Sequence, residues 1–204
     1  MGPPLTALSD DIQAAVFAVA GGRLLSLAVD SPNFKPFKPL VLQLVGSEGL
    51  FERSLAMAQT LVDAADPATW APYVINQRVR PASRIPHVLF TVALNDDTVP
   101  PVAGRALARA LGTPHVGTVH EDVGLIPLED NMPVVGNRAE GLATAGFFQF
   151  DRISQNDTAI EATHGNVPFS PEGSEQTLHF FETWVSDLSE IVDPYVILNT
   201  PQIP

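Results

Sequence analysis

The sequence predicts an α/β fold in which the strands of a mostly parallel sheet are flanked by helices. Three observations carry that prediction. Two short apolar runs, Ile12–Ala20 and His87–Leu94, have almost no polar interruption, as strands buried on both faces of a parallel sheet require. The second run leads through the acidic loop Asn95-Asp96-Asp97 into a stretch of helix formers ending at Leu111. Near the end of the chain, Leu178, Phe181, Val185 and Leu188 recur at helical spacing, which marks an amphipathic helix.

The elements follow in order. Ile12–Ala20 reads as strand or as a buried Ala/Val helix; its brevity and the Gly21-Gly22 pair favour strand. Gly22–Phe37, with Pro32 and Pro36, reads as loop with short helical pieces. Pro39–Val45 fits strand or helix. Gly49–Ala64 carries Leu50, Leu55, Leu61 and Val62, an amphipathic helix that must stop before Pro67. His87–Leu94 is the clearest central strand. Val99–Leu111 is predicted helical, with Pro100 and Pro101 suited to its first turn and Gly112 to its end.

Thr113–Gly136, broken by Pro114, Pro127 and Pro133, reads as irregular. Gly146–Phe150 is a further strand, and Asn156–Thr163 leads to His164-Gly165. The final helix is expected within Ser174–Val192, capped by Ser170 or Ser174, with Trp184 and Ile191 at the margin of its apolar face. The tail Asp193–Pro204 is expected to be extended. No tandem repeat or low-complexity linker divides the chain, so residues 1–204 read as a single domain.

Composition bounds the function. With 204 residues, 45% hydrophobic and 17% charged, the chain can bury a sizeable core and does not fit the profile of a disordered segment. Eleven Lys and Arg against 23 Asp and Glu give a net charge of −12, which disfavours nucleic acid and anionic lipid as partners. The absence of cysteine excludes a disulfide scaffold, a thiol nucleophile and a zinc-thiolate site, and leaves the compartment open. No basic-then-apolar leader opens the sequence, and no apolar run is long enough for a transmembrane segment.

Two features point to chemistry. Asp96 stands just beyond a buried strand, where sites of open α/β sheets form and where a carboxylate can orient a histidine. His164 lies in the loop EATHGN after a probable-strand region and before the long helix, with a near-neutral ring suited to proton transfer. His87 reads as structural and His179 as a surface or boundary residue. His115 and His120, beside Glu121 and Asp122, fit a solvated acidic loop better than a metal site. Phosphate-loop, dinucleotide-loop and His-Glu-x-x-His patterns do not occur.

These residues carry a resemblance. LNDDTVPP is similar to the loop after the seventh strand of the α/β-hydrolases, with Asp96 in the place of the catalytic acid, Asp97 as the fallback, and Ala93 where the family often has glycine. EATHGN, followed by a helix bearing FFETW, resembles that family's histidine loop, and the Asp-before-His order agrees with it. The resemblance covers Asp10–Val192 and implies the C-terminal part of a serine esterase or lipase-like hydrolase. Residues 24–82 would form a cap-like excursion. No metal or organic cofactor is implied.

The nucleophile elbow, Gly-x-Ser-x-Gly, does not occur; Gly46-Ser47-Glu48-Gly49 only imitates it. On the family pattern, Met1–Ser9 would be the remnant of the elbow helix, and the elbow, the oxyanion loop and the first five strands would precede Met1. The chain would then supply Asp96 and His164 to a Ser-His-Asp triad acting on an ester or acyl substrate. Its expected partner is an N-terminal hydrolase half, or another copy, joined through an exposed sheet edge. A secreted parent protein is compatible with this sequence. The alternative is an inactive interaction or structural module.

Overall fold

A computed structural model describes residues 1–156 and 158–203, the side chains of Ser26 and Ala28 excepted. Asp157 and Pro204, which fall within the expected connection 156–163 and tail 193–204, lie outside the described residues.

Five short strands form the main sheet: β1 (Ala14–Phe17), β2 (His87–Ala93), β3 (His115–Val116), β4 (Leu128–Glu129) and β6 (Ala145–Phe150), with β5 (Val134–Val135) lying between the last two in sequence. Their spatial order is β1-β2-β6-β3-β4, and each neighbouring pair is parallel. The architecture is therefore α/β with a parallel five-stranded sheet flanked by helices. All seven residues of β2 and all six of β6 are buried, which is why both read as nearly unbroken apolar runs.

Side chains alternate between two cores. Val88, Phe90, Val92 and Phe147 pack on one face with Leu107 and Leu111 of α6 (Pro101–Leu111). Leu89, Ala93, Phe148 and Phe150 pack on the other with Phe180 of α7 (Pro171–Ser186) and Ile191 of β9 (Glu190–Ile191). This is the period-two alternation of a sheet covered on both sides. Helix α6 ends at Gly112, whose φ of 65° is left-handed and suits glycine.

Helix α1 (Gly2–Leu8) packs beside β1. Between β1 and β2 the chain forms α2 (Leu24–Asp30), α3 (Lys38–Val45), α4 (Glu48–Val62) and α5 (Pro67–Trp70). The ambiguous Pro39–Val45 is thus helical. Pro67, Ala71, Val74 and Ile75 return the chain to the core. The neck of this excursion is a single buried carboxylate. Asp66 accepts hydrogen bonds from the amides of Arg23 (2.9 Å), Leu24 (2.6 Å) and Ala68 (2.8 Å) and from Gln59 Nε2 (2.9 Å). Burial opposes its charge, but these donors more than offset that and hold its pKa below the ordinary value.

The strand read before His164 is one arm of a hairpin, in which β7 (Arg152–Gln155) pairs antiparallel with β8 (Thr158–Glu161). Two expectations are corrected. The tail is not wholly extended, because α8 (Pro194–Leu198) forms there, capped by Asp193 accepting from the Tyr195 amide. Finally, α7 does not bury the expected face. Leu178 and Val185 are 58% and 76% exposed, and Leu188 lies beyond the helix end. The helix turns Glu172, Gln176 and Phe180 inward instead. Glu172 tolerates burial because it accepts from the Ser154 amide (3.0 Å) and the Thr200 hydroxyl (2.7 Å), whereas Gln176 is bonded on one side only: its Nε2 donates to the Val192 carbonyl (2.9 Å), and its Oε1 has no partner among the described residues.

Candidate active site

The end of β2 builds the acidic half of the site. The Leu94 amide continues the ladder to the Phe150 carbonyl (2.9 Å), and the Asn95 amide donates to the Ala162 carbonyl (3.2 Å). The chain then turns sharply around Asp96. Its Oδ1 accepts from the amides of Thr98 (2.9 Å) and Val99 (2.6 Å), just before α6 begins. An aspartate bonding its own downstream amides is a local turn that the sequence favours. One oxygen of the carboxylate is thus fixed by backbone, which leaves Oδ2 for another partner.

That partner is His164. After β6, the β7–β8 hairpin carries the chain out and back. The Ala162 amide donates to the Asp151 carbonyl (3.0 Å), closing the hairpin at its base. Ala162 also receives the Asn95 amide, so the returning strand lands beside the acidic loop. Two residues later, His164 Nδ1 lies 2.9 Å from Asp96 Oδ2. A tight turn holds the histidine: the Thr163 amide donates to Asn166 Oδ1 (2.7 Å), and Asn166 Nδ2 donates to the Glu161 carbonyl (2.9 Å).

The pair is asymmetric in exposure. The Asp96 side chain is 2% exposed and the His164 side chain 35%. Among the described residues, the His164 ring bonds through Nδ1 and not through Nε2. A proton on Nδ1, donated to Asp96, leaves the Nε2 lone pair on the accessible side. An imidazole so oriented can take a proton from a hydroxyl, and the carboxylate stabilises the imidazolium that results.

Asp97 does not share this position. It is exposed, and its Oδ1 meets only the Thr98 hydroxyl (3.3 Å). Its carbonyl accepts from the Ser31 hydroxyl (2.7 Å) and the Asn33 amide (3.4 Å), so the segment following α2 is tied to the acidic loop. Ser47 has an ordinary role: its hydroxyl caps α4 by accepting from the Leu50 amide (3.3 Å). No serine hydroxyl among the described residues hydrogen-bonds His164.

The remaining histidines are elsewhere. His87 is fully buried, and its Nδ1 accepts from the Thr144 amide (3.1 Å). His115 packs edge-on against Phe147. His120 Nε2 lies 3.5 Å from Asp151, while Glu121 pairs with Arg105. Among the described residues, no group of three or more His, Asp or Glu is arranged to hold a metal ion. His179 Nε2 is 3.3 Å from Glu190 Oε1, at the edge of α7.

Two positioning residues escaped the sequence reading. Asn166 lies two residues past His164, and an Asn in a short loop is itself a turn signal. Tyr195 secures the base of the hairpin: its hydroxyl accepts from the amides of Asp151 (3.1 Å) and Arg152 (3.3 Å) and donates to the Arg152 carbonyl (2.9 Å). Burial pushes its pKa far above that of a free tyrosine. No sequence pattern short of the fold points to it.

No family model matches this chain, and neither does any curated protein or solved structure.

Proposed function

We propose that this chain supplies the acid and the general base of a carboxylic-ester hydrolase site, with Asp96 as acid and His164 as base. The carrying observation is the 2.9 Å Nδ1–Oδ2 contact between a buried carboxylate and a half-exposed imidazole whose second nitrogen has no partner among the described residues. The order of the three longest parallel strands supports the α/β-hydrolase resemblance. The acid follows β2 and the histidine follows its neighbour β6, both beyond the carboxyl ends of the strands.

In the reaction, a serine hydroxyl would lie within reach of Nε2. Its oxygen bonds to the acyl carbon as its proton passes to Nε2. The imidazolium rests against Asp96, then returns the proton to the departing alcohol as the acyl carbon–alkoxy bond breaks. Water then gives a proton to the same nitrogen as its oxygen bonds to the acyl carbon; the bond to the serine oxygen breaks, that oxygen takes the proton back from Nε2, and the carboxylic acid leaves. The nucleophile would arrive on a strand pairing with β1, which among the described residues has a sheet neighbour on one side only. That open edge also favours a second reading, an interaction module that pairs through β1 and performs no hydrolysis.

Fluorophosphonate labelling followed by mapping of the adduct tests the proposal, on the purified chain and on the complex it forms in a native extract. The expected result is a serine adduct that appears with the wild-type chain and is lost with His164→Ala. No His164-dependent adduct in either preparation would overturn the hydrolase reading and leave the interaction module.

A further inference from the structure

The chain between β1 and β2 leaves a small apolar space. Helix α3 lies against α4 without burying any of its own residues, and Phe51 is the buried residue of α4. Between the two, Phe34, Phe37, Val41, Phe51 and Leu55 surround a cavity of about 170 Å³. Its mouth is open, since Phe34 and Phe37 are exposed. Among the described residues, Lys38 is the only polar side chain in its wall. These walls are not part of a spanning segment: no helix among the described residues is long and apolar enough to cross a membrane. Walls of this kind hold water poorly, because a water molecule needs about two to four polar partners. An engineered cavity of about 150 Å³ lined by Leu, Ile and Phe stays dry and takes up benzene. The space here therefore matches one aryl ring, or an alkyl body of similar bulk.

Charge selects what that body carries. The molecule has a net charge of −12, so an anion is repelled unless a local cation receives it. The chain has two lysines, Lys35 and Lys38, and residues 31–47 contain no acidic side chain. The Lys38 ammonium stands 5.4 Å from the centre of the Phe51 ring, within cation–π reach. Among the described residues it pairs with no carboxylate. An ammonium has three N–H donors, and the ring faces it from one side, so donors remain for a ligand. Asp30 and Glu52 line a different groove, which shares only the Val29 and Leu55 walls with this cavity.

We propose that the cavity between α3 and α4 binds a small arylalkyl or alkyl monocarboxylate, with its apolar body among the Phe and Leu side chains and its carboxylate on the Lys38 ammonium. The walls read the body and the single cation reads the head. The site stands apart from Asp96 and His164. The proposal does not rest on the ester-hydrolase reading, since its readout is binding.

Titration of the purified chain with phenylacetate, read by calorimetry and ligand-observed NMR, tests it. Saturable binding to one site is expected. Acetate, which lacks the ring, and 2-phenylethylamine, which keeps the ring and reverses the charge, should each bind at least about ten-fold more weakly. Lys38→Met keeps the apolar stem, removes the charge and should weaken phenylacetate about ten-fold. Lys35→Met, outside the cavity wall, should bind like wild type. Val41→Trp fills the space from an exposed position and should abolish binding. Far-UV circular dichroism checks each variant's fold. No saturable binding by wild type, equal binding of 2-phenylethylamine, or full affinity in Lys38→Met or Val41→Trp would overturn the proposal. Equal loss in Lys35→Met and Lys38→Met would also overturn it, because it would mark diffuse attraction of an anion in place of a built site.

Discussion

His164 Nδ1 meets Asp96 Oδ2 at 2.9 Å across 68 residues of chain, although neither residue lies in a helix or a strand. The meeting depends on two parallel neighbours, β2 and β6, ending level with one another, and on a hairpin that returns to the Asn95 amide.

Asp96→Asn should separate charge from architecture. The Asn side-chain oxygen can still accept from the Thr98 and Val99 amides, so the fold should survive. The fixed Nδ1–H form of His164 should be lost, which long-range ¹⁵N–¹H spectra of the imidazole would report directly. Any His164-dependent ester hydrolysis should fall by about 10⁴-fold, the order found when a triad aspartate is neutralised in other hydrolases. Asp97→Asn should change neither readout, because its carboxylate faces solvent.

Gly173→Ala should destabilise where Gly165→Ala does not. A Cβ on Gly173 would come within 2.0 Å of the Val167 carbonyl oxygen, which belongs to the turn that follows His164. One on Gly165 meets nothing within 4 Å. The first change is expected to cost about 3 kcal/mol and to broaden the His164 resonances. The second should stay near zero. Chemical denaturation of both variants measures the difference.

Tyr195→Phe removes a buried hydroxyl that serves two amides and one carbonyl at the base of the hairpin. The amides of Asp151 and Arg152 then lose a partner, at a cost of about 1–3 kcal/mol. Amide hydrogen exchange should accelerate first in 151–156 and 158–162, ahead of the sheet.

Stability should decline on acidification in two stages. Burial lowers the pKa of His87, helped by nearby Arg84, and burial likewise lowers that of His115. Both rings are therefore neutral in the fold, and the unfolded chain takes up the extra protons as pH falls below about 6.5. Asp66 and Glu172 are buried against their charge, but hydrogen bonds hold both pKa values below ordinary. Their stabilisation is complete above about pH 4 and is lost as pH falls toward the depressed native values. Urea unfolding from pH 8 to pH 3 should show a decline beginning near pH 6.5 and steepening below pH 4. A flat profile would contradict the assigned burial.

The strands were legible because a buried parallel strand leaves little choice of residue: His87–Ala93 and Ala145–Phe150 announce themselves by being nearly continuous apolar runs, interrupted within by Thr91 and Gln149 alone. Asp96 and His164 were legible by chemistry and by position relative to those strands. The β7 arm of the hairpin was missed, although Asn156, with φ of 50°, directly follows the paired segment Arg152–Gln155. Helix α8 was missed despite Asp193-Pro194, a cap followed by a first-turn proline. The inward face of α7 was not legible at all. Its buried Glu172 and Gln176 bond to Ser154, Thr200 and Val192, partners remote in sequence.

Asp66 gives the molecule a modular seam. By binding the amides of Arg23 and Leu24, it brings the two ends of residues 24–66 together at one point on the periphery of the sheet. The chain between them is a cassette tied at that junction and again where Ser31 and Asn33 meet the acidic loop, while Pro67, Ala71, Val74 and Ile75 belong to the core. A shorter or longer cassette could replace it and leave the β1–β2 pairing untouched, provided an acceptor remained to close the ring. The surface above the sheet can therefore diversify without renegotiating the scaffold beneath.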